Sequence, residues 1–491
     1  TGFAMLEVGS VSTKNTRNIL LKNVMDASLG TVLFATVGYG FAYGDTAGHD
    51  LFYRFVGKGM FLLKAADFED GTGYTYASWM FQWAFAATTT TIVSGAVAER
   101  VTFTAYVVYT ICLVGFIYPV VACVVWSSQG FLSAWRDDDK FLGCGVLDFA
   151  GSGVVHMTGG VAALVGATVL GPRRAFLVNE LDIPEYGPIM QTLGTLILWF
   201  CWYGFNGVST LYLVGYAEVA AKTMVTTTVS AACGALGSLL ASTLYLDRSL
   251  DGHYQLRLEY ANNGALAGLV AITAGCSVVE PYGAFIIGLL AGPLYFFTSQ
   301  SLEHFGIDDV VDAFPVHGMC GAFGVVMAGV LATPHNYANA YYEDKADKCA
   351  GVAYGGDGSQ LAANAFAVLA ILLWSGTCSY LVFKALSVCG VLRVSEDVED
   401  RGMDATEHMA AAWGAGRTMS GNGFAGSDFG NPIASGDNSK PISVADLNLE
   451  DDYDDDDDEP VVKKKSKPSK KSTRSSALGG QVEGGAPSYA S

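Results

Sequence analysis

Two histidines lie inside long uncharged apolar runs, and each follows an aspartate by eight residues. Asp148 and His156 stand in DFAGSGVVHMTGG, and Asp309 and His317 in DVVDAFPVHGMCGAFG. Residues 149–170 and 313–333 carry no charged side chain, and each run is long enough to cross a bilayer. An ionisable side chain in such a run is costly and by default marks a transport path or a proton relay. Neutral imidazole offers one donor and one acceptor, so two imidazoles can hydrogen-bond each other and line a narrow path. Two copies of one arrangement, 161 residues apart, hint at an internally repeated transporter with its path between the halves. Of the seven histidines only these two lie well inside apolar runs. A metal centre would need a third ligand, and neither run has an interior carboxylate or a suitable Cys cluster, so neither metal nor cofactor is expected.

Other residues group around this pair. Asp148 and Asp309 fall at the expected starts of helices, where capping is the ordinary use of a carboxylate; Asp148 could also set the field near a cation entrance. Asp312 adds a carboxylate near Asp309. Phe81 and Phe85 are spaced i, i+4 and share a helix face. Trp126 ends the following apolar run, where an aromatic is either an interfacial anchor or one face of a cation site. Phe205, Asn206 and Ser209 stand in WYGFNGVST, where a polar Asn in an apolar run implies interhelical bonding or a bent segment.

The elements that must position these residues are transmembrane helices. Apolar residues make up 51% of the 491-residue chain and charged residues 15%, well under the soluble average. Blocks of about twenty apolar residues succeed one another up to about residue 388, which specifies an all-α polytopic membrane protein. Spans are expected near 21–43, 77–97, 102–125, 149–170, 190–214, 223–245, 261–279, 282–298, 313–333 and 362–387. A stub at 1–9 adds an eleventh, read as the end of a helix whose N-terminal part is missing. Abundant Gly, Ala, Ser and Thr allow close helix approach. The domain division is 1–390 membrane domain, 391–413 proximal tail with short helices, and 414–491 a low-complexity disordered tail.

Loop charges leave orientation nearly tied. With the stub running inward, Lys14, Arg17, Lys22, Arg100, Arg173, Arg174, Arg248 and Arg257 are cytoplasmic. Arg54, Lys58, Lys64, Arg136, Lys140, Lys222, Lys345 and Lys348 are external. Lys384, Arg393 and Arg401 tip the balance to a cytoplasmic tail. The net charge of −19 sits largely in loops and tail, and the Lys-rich stretch 463–474 implies no nucleic acid. Cys144 and Cys349 both fall in expected external loops, where a disulfide is chemically permitted.

At these residues the chain resembles the ammonium transporter family (Amt/Mep/Rh), and its Amt branch in particular, with plant- and alga-like members closest in pattern. The resemblance runs through GFAMLEVGSVSTKNTRNIL, QWAFAATTTTIVSGAVAER, DFAGSGVVHMTGG, WYGFNGVST, FPVHGMCGAFG and RGMDATEHM, over residues 1–413. It implies eleven spans with an inverted five-helix repeat, assembled as a homotrimer with one pore per subunit. It implies that Phe81, Trp126 and Ser209 form an outer ammonium recruitment site supported by Asp148. Phe85 and Phe205 then look like a stacked gate, and His156 and His317 like the twin-histidine pair in the pore. Thr406, in RGMDATEHM, looks like a regulatory site for a kinase acting on a tail that docks on a neighbouring subunit. The implied activity is ammonium uptake across a membrane, most readily the plasma membrane, with net charge transfer. An electroneutral channel for ammonia or carbon dioxide and an ammonium sensor are the alternatives. An enzyme is not expected, because no nucleophile–base set or cofactor loop is visible.

Overall fold

The computed structural model describes residues 1–44, 51–64, 68, 73–136, 139–178, 187–246 and 256–408. The distal tail 414–491, His49, His253 and Arg248 lie outside the described residues. The described residues form one compact unit.

Every regular element described is helical. Besides shorter helices such as Pro334–Ala340, these include, in chain order, α1 (Gly2–Val8), α2 (Thr13–Tyr43), α3 (Tyr74–Ala96), α4 (Phe103–Trp126), α5 (Ser152–Leu170), α6 (Gly187–Trp202) and α7 (Ala217–Tyr245). There follow α8 (Leu258–Thr273), α9 (Pro281–His304), α10 (Phe314–Leu331) and α11 (Ser359–Val388). Seven of them, α2, α4, α5, α7, α9, α10 and α11, are long and apolar enough to cross a membrane. A lipid environment has no water for unpaired backbone groups, which is why an apolar chain of this composition closes its hydrogen bonds within helices.

Small residues carry the closest helix contacts. Ser230 and Gly234 of α7 meet the backbones of Gly268 and Gly264 in α8 and of Gly288 and Gly292 in α9; an added Cβ would fall 2.2–2.3 Å from a carbonyl oxygen at Gly234, Gly268, Gly288 and Gly292. The outward faces show lone large apolar side chains such as Leu236, Leu240 and Leu244 of α7, as lipid-facing surface requires.

The two ends of the unit differ. One end carries the proximal tail, which forms short helices at Glu396–Arg401 and Met403–Thr406. Arg393 there donates to the carbonyls of Leu170 and Pro172, and Asp404 accepts from the amides of Arg17 and Asn18 at 2.9 and 2.8 Å. Beneath the tail, Arg173 grips both oxygens of Asp308 and reaches Glu99 at 2.9 Å. Burial would push Asp308 up, but Arg173 and Arg100 hold it below the usual carboxylate range. At the opposite end Cys144 and Cys349 are joined, tying the loop before α5 to the loop after α10 across 205 residues.

Several bases assigned to loops lie in helices. Lys14, Arg17 and Lys22 fall within α2, Lys22 fully buried, and Lys222 is a turn inside α7. Loop charge alone still does not orient the chain.

Mass mapping of protein kept from reductant should recover Cys144 and Cys349 as one cross-linked peptide pair. Replacing both with Ser should lower stability by roughly 2–4 kcal/mol, read as a lower thermal unfolding temperature, the typical loss for a native bridge.

Candidate functional site

The site is built from two helix starts that face each other. α5 and α10 each begin with a π-helical turn, Ser152–Met157 and Phe314–Met319, and each turn carries its histidine near its end. The wider turn is a departure from regular geometry of the kind that clusters at functional positions. Asp148 caps the first start. Its carboxylate accepts from the amides of Gly151 (3.1 Å), Gly153 (3.0 Å) and Val154 (2.8 Å). Gly151, at φ 100°, takes the left-handed turn that folds the chain back over that carboxylate. Burial pushes the Asp148 carboxyl up to about 6, while the backbone bonds oppose the rise. Asp309 caps the second start, accepting from the Phe314 amide at 2.8 Å. Asp312 does not cap. At φ 57° its carboxylate turns to Tyr295 (2.8 Å), Ser299 (2.7 Å) and Asn263 (3.2 Å).

The loop that holds Asp148 is itself fixed by buried polar bonds. Asn364 of α11 accepts from the Leu147 amide and donates to the Leu147 and Val325 carbonyls. Ser152 donates to the Val270 carbonyl and accepts from the Ala274 amide, locking the start of α5 against α8. These bonds give the backbone groups of the loop, and those at the end of α8, polar partners away from water.

The two starts cross without side chains between them. A Cβ on Gly160 would lie 2.1 Å from the Gly318 nitrogen, and one on Gly321 would lie 2.5 Å from the Ser152 oxygen. This crossing brings the imidazoles together. Nδ1 of His317 and Nδ1 of His156 are 3.2 Å apart, with ring centroids at 5.2 Å and planes 15° apart. Both rings are buried, and Nε2 of His156 has no hydrogen-bond partner. Trp202 stacks on His156 at 5.1 Å and 13°, its own Nε1 anchored on Thr273 at 2.9 Å.

Toward the disulfide end the aromatic residues form a continuous column above the histidines. Phe205 lies 5.4 Å from His156 and 4.2 Å from Phe85; Phe85 lies 5.4 Å from Trp126 and 4.7 Å from Phe81. The Trp126 indole donates to the Asp148 carbonyl at 2.7 Å, so the aspartate loop orients the tryptophan. A cavity of about 270 Å³ opens here, lined among others by Phe81, Phe85, Trp126, Ser209 and Trp135. Asn206 donates to Thr227, and its neighbours Tyr203–Gly207 form a π turn, so the segment is both bonded to a neighbouring helix and bent.

On the tail side of the pair a much smaller cavity, about 10 Å³, is lined by Phe3, Glu7, Thr91, Val316 and His317 among others. Thr406 is not part of this assembly. It lies at the tail end, and its hydroxyl donates to the Gly402 carbonyl at 2.9 Å.

Several members of the site were not singled out in the sequence. Trp202 is three residues before Phe205, and a tryptophan in mid-span rather than at an interface was the available signal. Gly160 and Gly321 stand four residues after His156 and His317 respectively, so the spacing itself was visible. Glu7, Lys22 and Asp26 are buried ionisable groups; Lys22 reads as a loop charge from its place at a span end, and Glu7 and Asp26 fall inside the stub and the first full span without being singled out.

A family model described as the Ammonium Transporter Family matches residues 1–413. Ammonium transporter 1 member 3 of Solanum lycopersicum is 38% identical over 87% of this chain and 92% of its own length. Ammonium transporter 1 member 1 of Oryza sativa subsp. japonica is 39% identical over 83% of this chain and 81% of its own. Among solved structures, one named Sensor Amt Protein superposes with a TM-score of 0.70 at 30% identity, covering 84% of this chain and 94% of its own. Mep2 of Candida albicans gives 0.67 at 25% identity, covering 81% and 84%.

The crossing makes a direct prediction. Gly160→Ala should destabilise the protein by about 1–3 kcal/mol, the usual range for overpacking, because backbone rather than a side chain must move. Gly376→Ala, whose added Cβ would meet only the Val161 side chain at 3.5 Å, should leave the unfolding temperature nearly unchanged. Equal unfolding temperatures for the two variants would contradict the close approach.

Proposed function

This chain belongs to the ammonium transporter family, and from that premise we propose that it carries ammonium across a membrane through a path centred on the His156–His317 pair. The observation that carries the reading is the 3.2 Å contact between two buried imidazoles at the base of an aromatic column. The proposed architecture is eleven spans with an inverted repeat of α1–α5 and α6–α10. The matched π-turn starts of α5 and α10 support that pairing. The assembly is proposed as a homotrimer with one path per subunit, and 1–390, 391–413 and 414–491 as transport domain, regulatory tail and distal tail.

In this reading the cavity under Trp126 is the recruitment site. Its aromatic faces and the Ser209 hydroxyl hold the ion, and the Asp148 loop sets the tryptophan. A desolvated cation–π contact is worth about 2 kcal/mol, whereas moving a small ion into a dry interior costs several kcal/mol even after relaxation. The cage therefore concentrates ammonium without carrying it further as a cation. Deprotonated there, neutral ammonia passes Phe85 and Phe205 and takes a hydrogen bond from or to the imidazoles. The proton follows separately along the histidines and water, so the net event moves one positive charge. The disulfide supports placing its end on an oxidising outer face and the tail in a reducing cytoplasm, with the plasma membrane as the site. A second reading, ammonium sensing with little flux, takes its support from the likeness to the sensor structure, and a flux assay separates the two.

Replacing His156 or His317 by Ala should abolish ammonium-dependent current while leaving expression and assembly intact. Wild-type currents from the double variant would remove the relay.

The tail is proposed as a switch. Thr406 lies beside Asp404 and Glu407, and a phosphate would add roughly −1.5 to −2 charge there. Repulsion from that charge would pull Asp404 off the start of α2 and close the path. Thr406→Asp should be inactive at normal surface abundance and Thr406→Ala active in the same flux assay. Equal flux from both would exclude Thr406 as the switch.

A further inference from the structure

Resting on the charge-transfer reading above, we propose that Glu7 is the carboxyl that returns a proton to ammonia beyond the histidine pair, which makes the small cavity under His317 an inner site where ammonium is re-formed. Glu7 lies in α1 and is 1% exposed. It lines the same cavity as His317, and Phe3, one turn earlier on the same helix, lies 6.1 Å from the His317 ring. At about 10 Å³ that cavity has room for one water-sized molecule, which is the size of ammonia.

An acid buried among transmembrane helices is costly and needs either neutralisation or a use. Glu7 is not neutralised by a partner at contact distance. Its oxygens accept from Ser94 Oγ of α3 at 2.6 Å and from Asn23 Nδ2 of α2 at 2.5 Å, and Asn23 in turn accepts from Thr91 at 3.2 Å. These two uncharged donors hold the carboxylate in place yet leave it able to accept a proton. The charged and titratable groups around it are Lys22 and Asp26 of α2, Tyr106 of α4, and His317 of α10. Arg100 and Glu407 act in turn on Lys22. The Lys22 ammonium lies 5.6 Å from the Tyr106 ring and has no hydrogen-bond partner, while Asp26 bonds to the Tyr106 hydroxyl. The carboxyl that shares the cavity with His317 thus has a second buried acid and a buried ammonium on the neighbouring helix α2.

The step balances. Ammonium at the outer site gives up a proton and becomes ammonia. The proton crosses through the histidines and protonates the Glu7 carboxylate. Ammonia arriving under His317 takes that proton, so the O–H bond of Glu7 breaks and an N–H bond forms. Ammonium leaves on the tail side, and Glu7 is again a carboxylate. The bland role for the same residue is a polar staple joining α1, α2 and α3. Such a staple would fail by losing the fold, whereas a proton donor would fail by losing charge transfer alone.

The test uses the full chain in vesicles, with protein-free vesicles as baseline. Two signals follow an ammonium jump. One is current. The other is internal pH, which rises when ammonia enters alone. Glu7→Gln should cut the current by on the order of tenfold or more, the low side of what a positioned acid contributes. Ammonia entry above baseline and the unfolding temperature should persist. Glu7→Asp, which keeps a carboxyl, should retain current with an altered dependence on internal pH. Wild-type current from Glu7→Gln would overturn the role of Glu7 and leave the histidine reading standing. Loss of current and ammonia entry together, with a lowered unfolding temperature, would overturn it in favour of the staple. A wild-type chain that admits ammonia without current would overturn the charge-transfer reading and this inference with it.

Discussion

The centre of the protein depends on one steric fact, that two helices cross backbone to backbone. With Gly160 against Gly318 and Gly321 against Ser152, the first turns of α5 and α10 share space that any larger side chain would occupy. Only then do imidazoles from helices 161 residues apart in sequence come within hydrogen-bond distance. The contact also explains why both helices begin part-way through the structure. A helix that starts in the interior leaves amide hydrogens unpaired, so each start needs a carboxylate, and Asp148 and Asp309 supply them.

This arrangement separates two electrostatic jobs. The carboxylates are spent on backbone amides and are not bonded to the histidines, and the imidazoles are held by stacking against Trp202 and each other. The aromatic column covers the disulfide-end side of the pair with apolar rings. The polar network of Arg173, Asp308 and Glu99 stays at the tail end, where burial of charge is offset by bidentate pairing.

Much of this was legible in the residues. The helical class follows from apolar blocks, and each expected span from 21–43 to 362–387 overlaps a described helix. His156, His317 and their aspartates stood out because charge is rare in such runs. The aromatic cluster was legible as separate pairs and became a column only in three dimensions, since Phe85 and Phe205 come from different helices. The glycine crossing and the Trp202 stack depend on tertiary approach, which spacing along one chain does not encode. Lys22 was misread because a base near a span end resembles a loop residue, and only its packing against α4 shows it to be interior. The Cys144–Cys349 pairing needed a distance between loops, which composition does not supply.

The tail's grip on the start of α2 has a reciprocal side. Asp404 completes that helix with two amide bonds, and one cap is worth about 1 kcal/mol. Each such contact is one increment of the docking energy, and every 1.4 kcal/mol or so shifts its occupancy tenfold. α2 also carries Asn23, which donates to Glu7 of the inner cavity. If tail attachment favours one geometry of that cavity, then by linkage the cavity's occupant must favour or disfavour attachment by the same factor. The tail would then report on traffic as well as govern it.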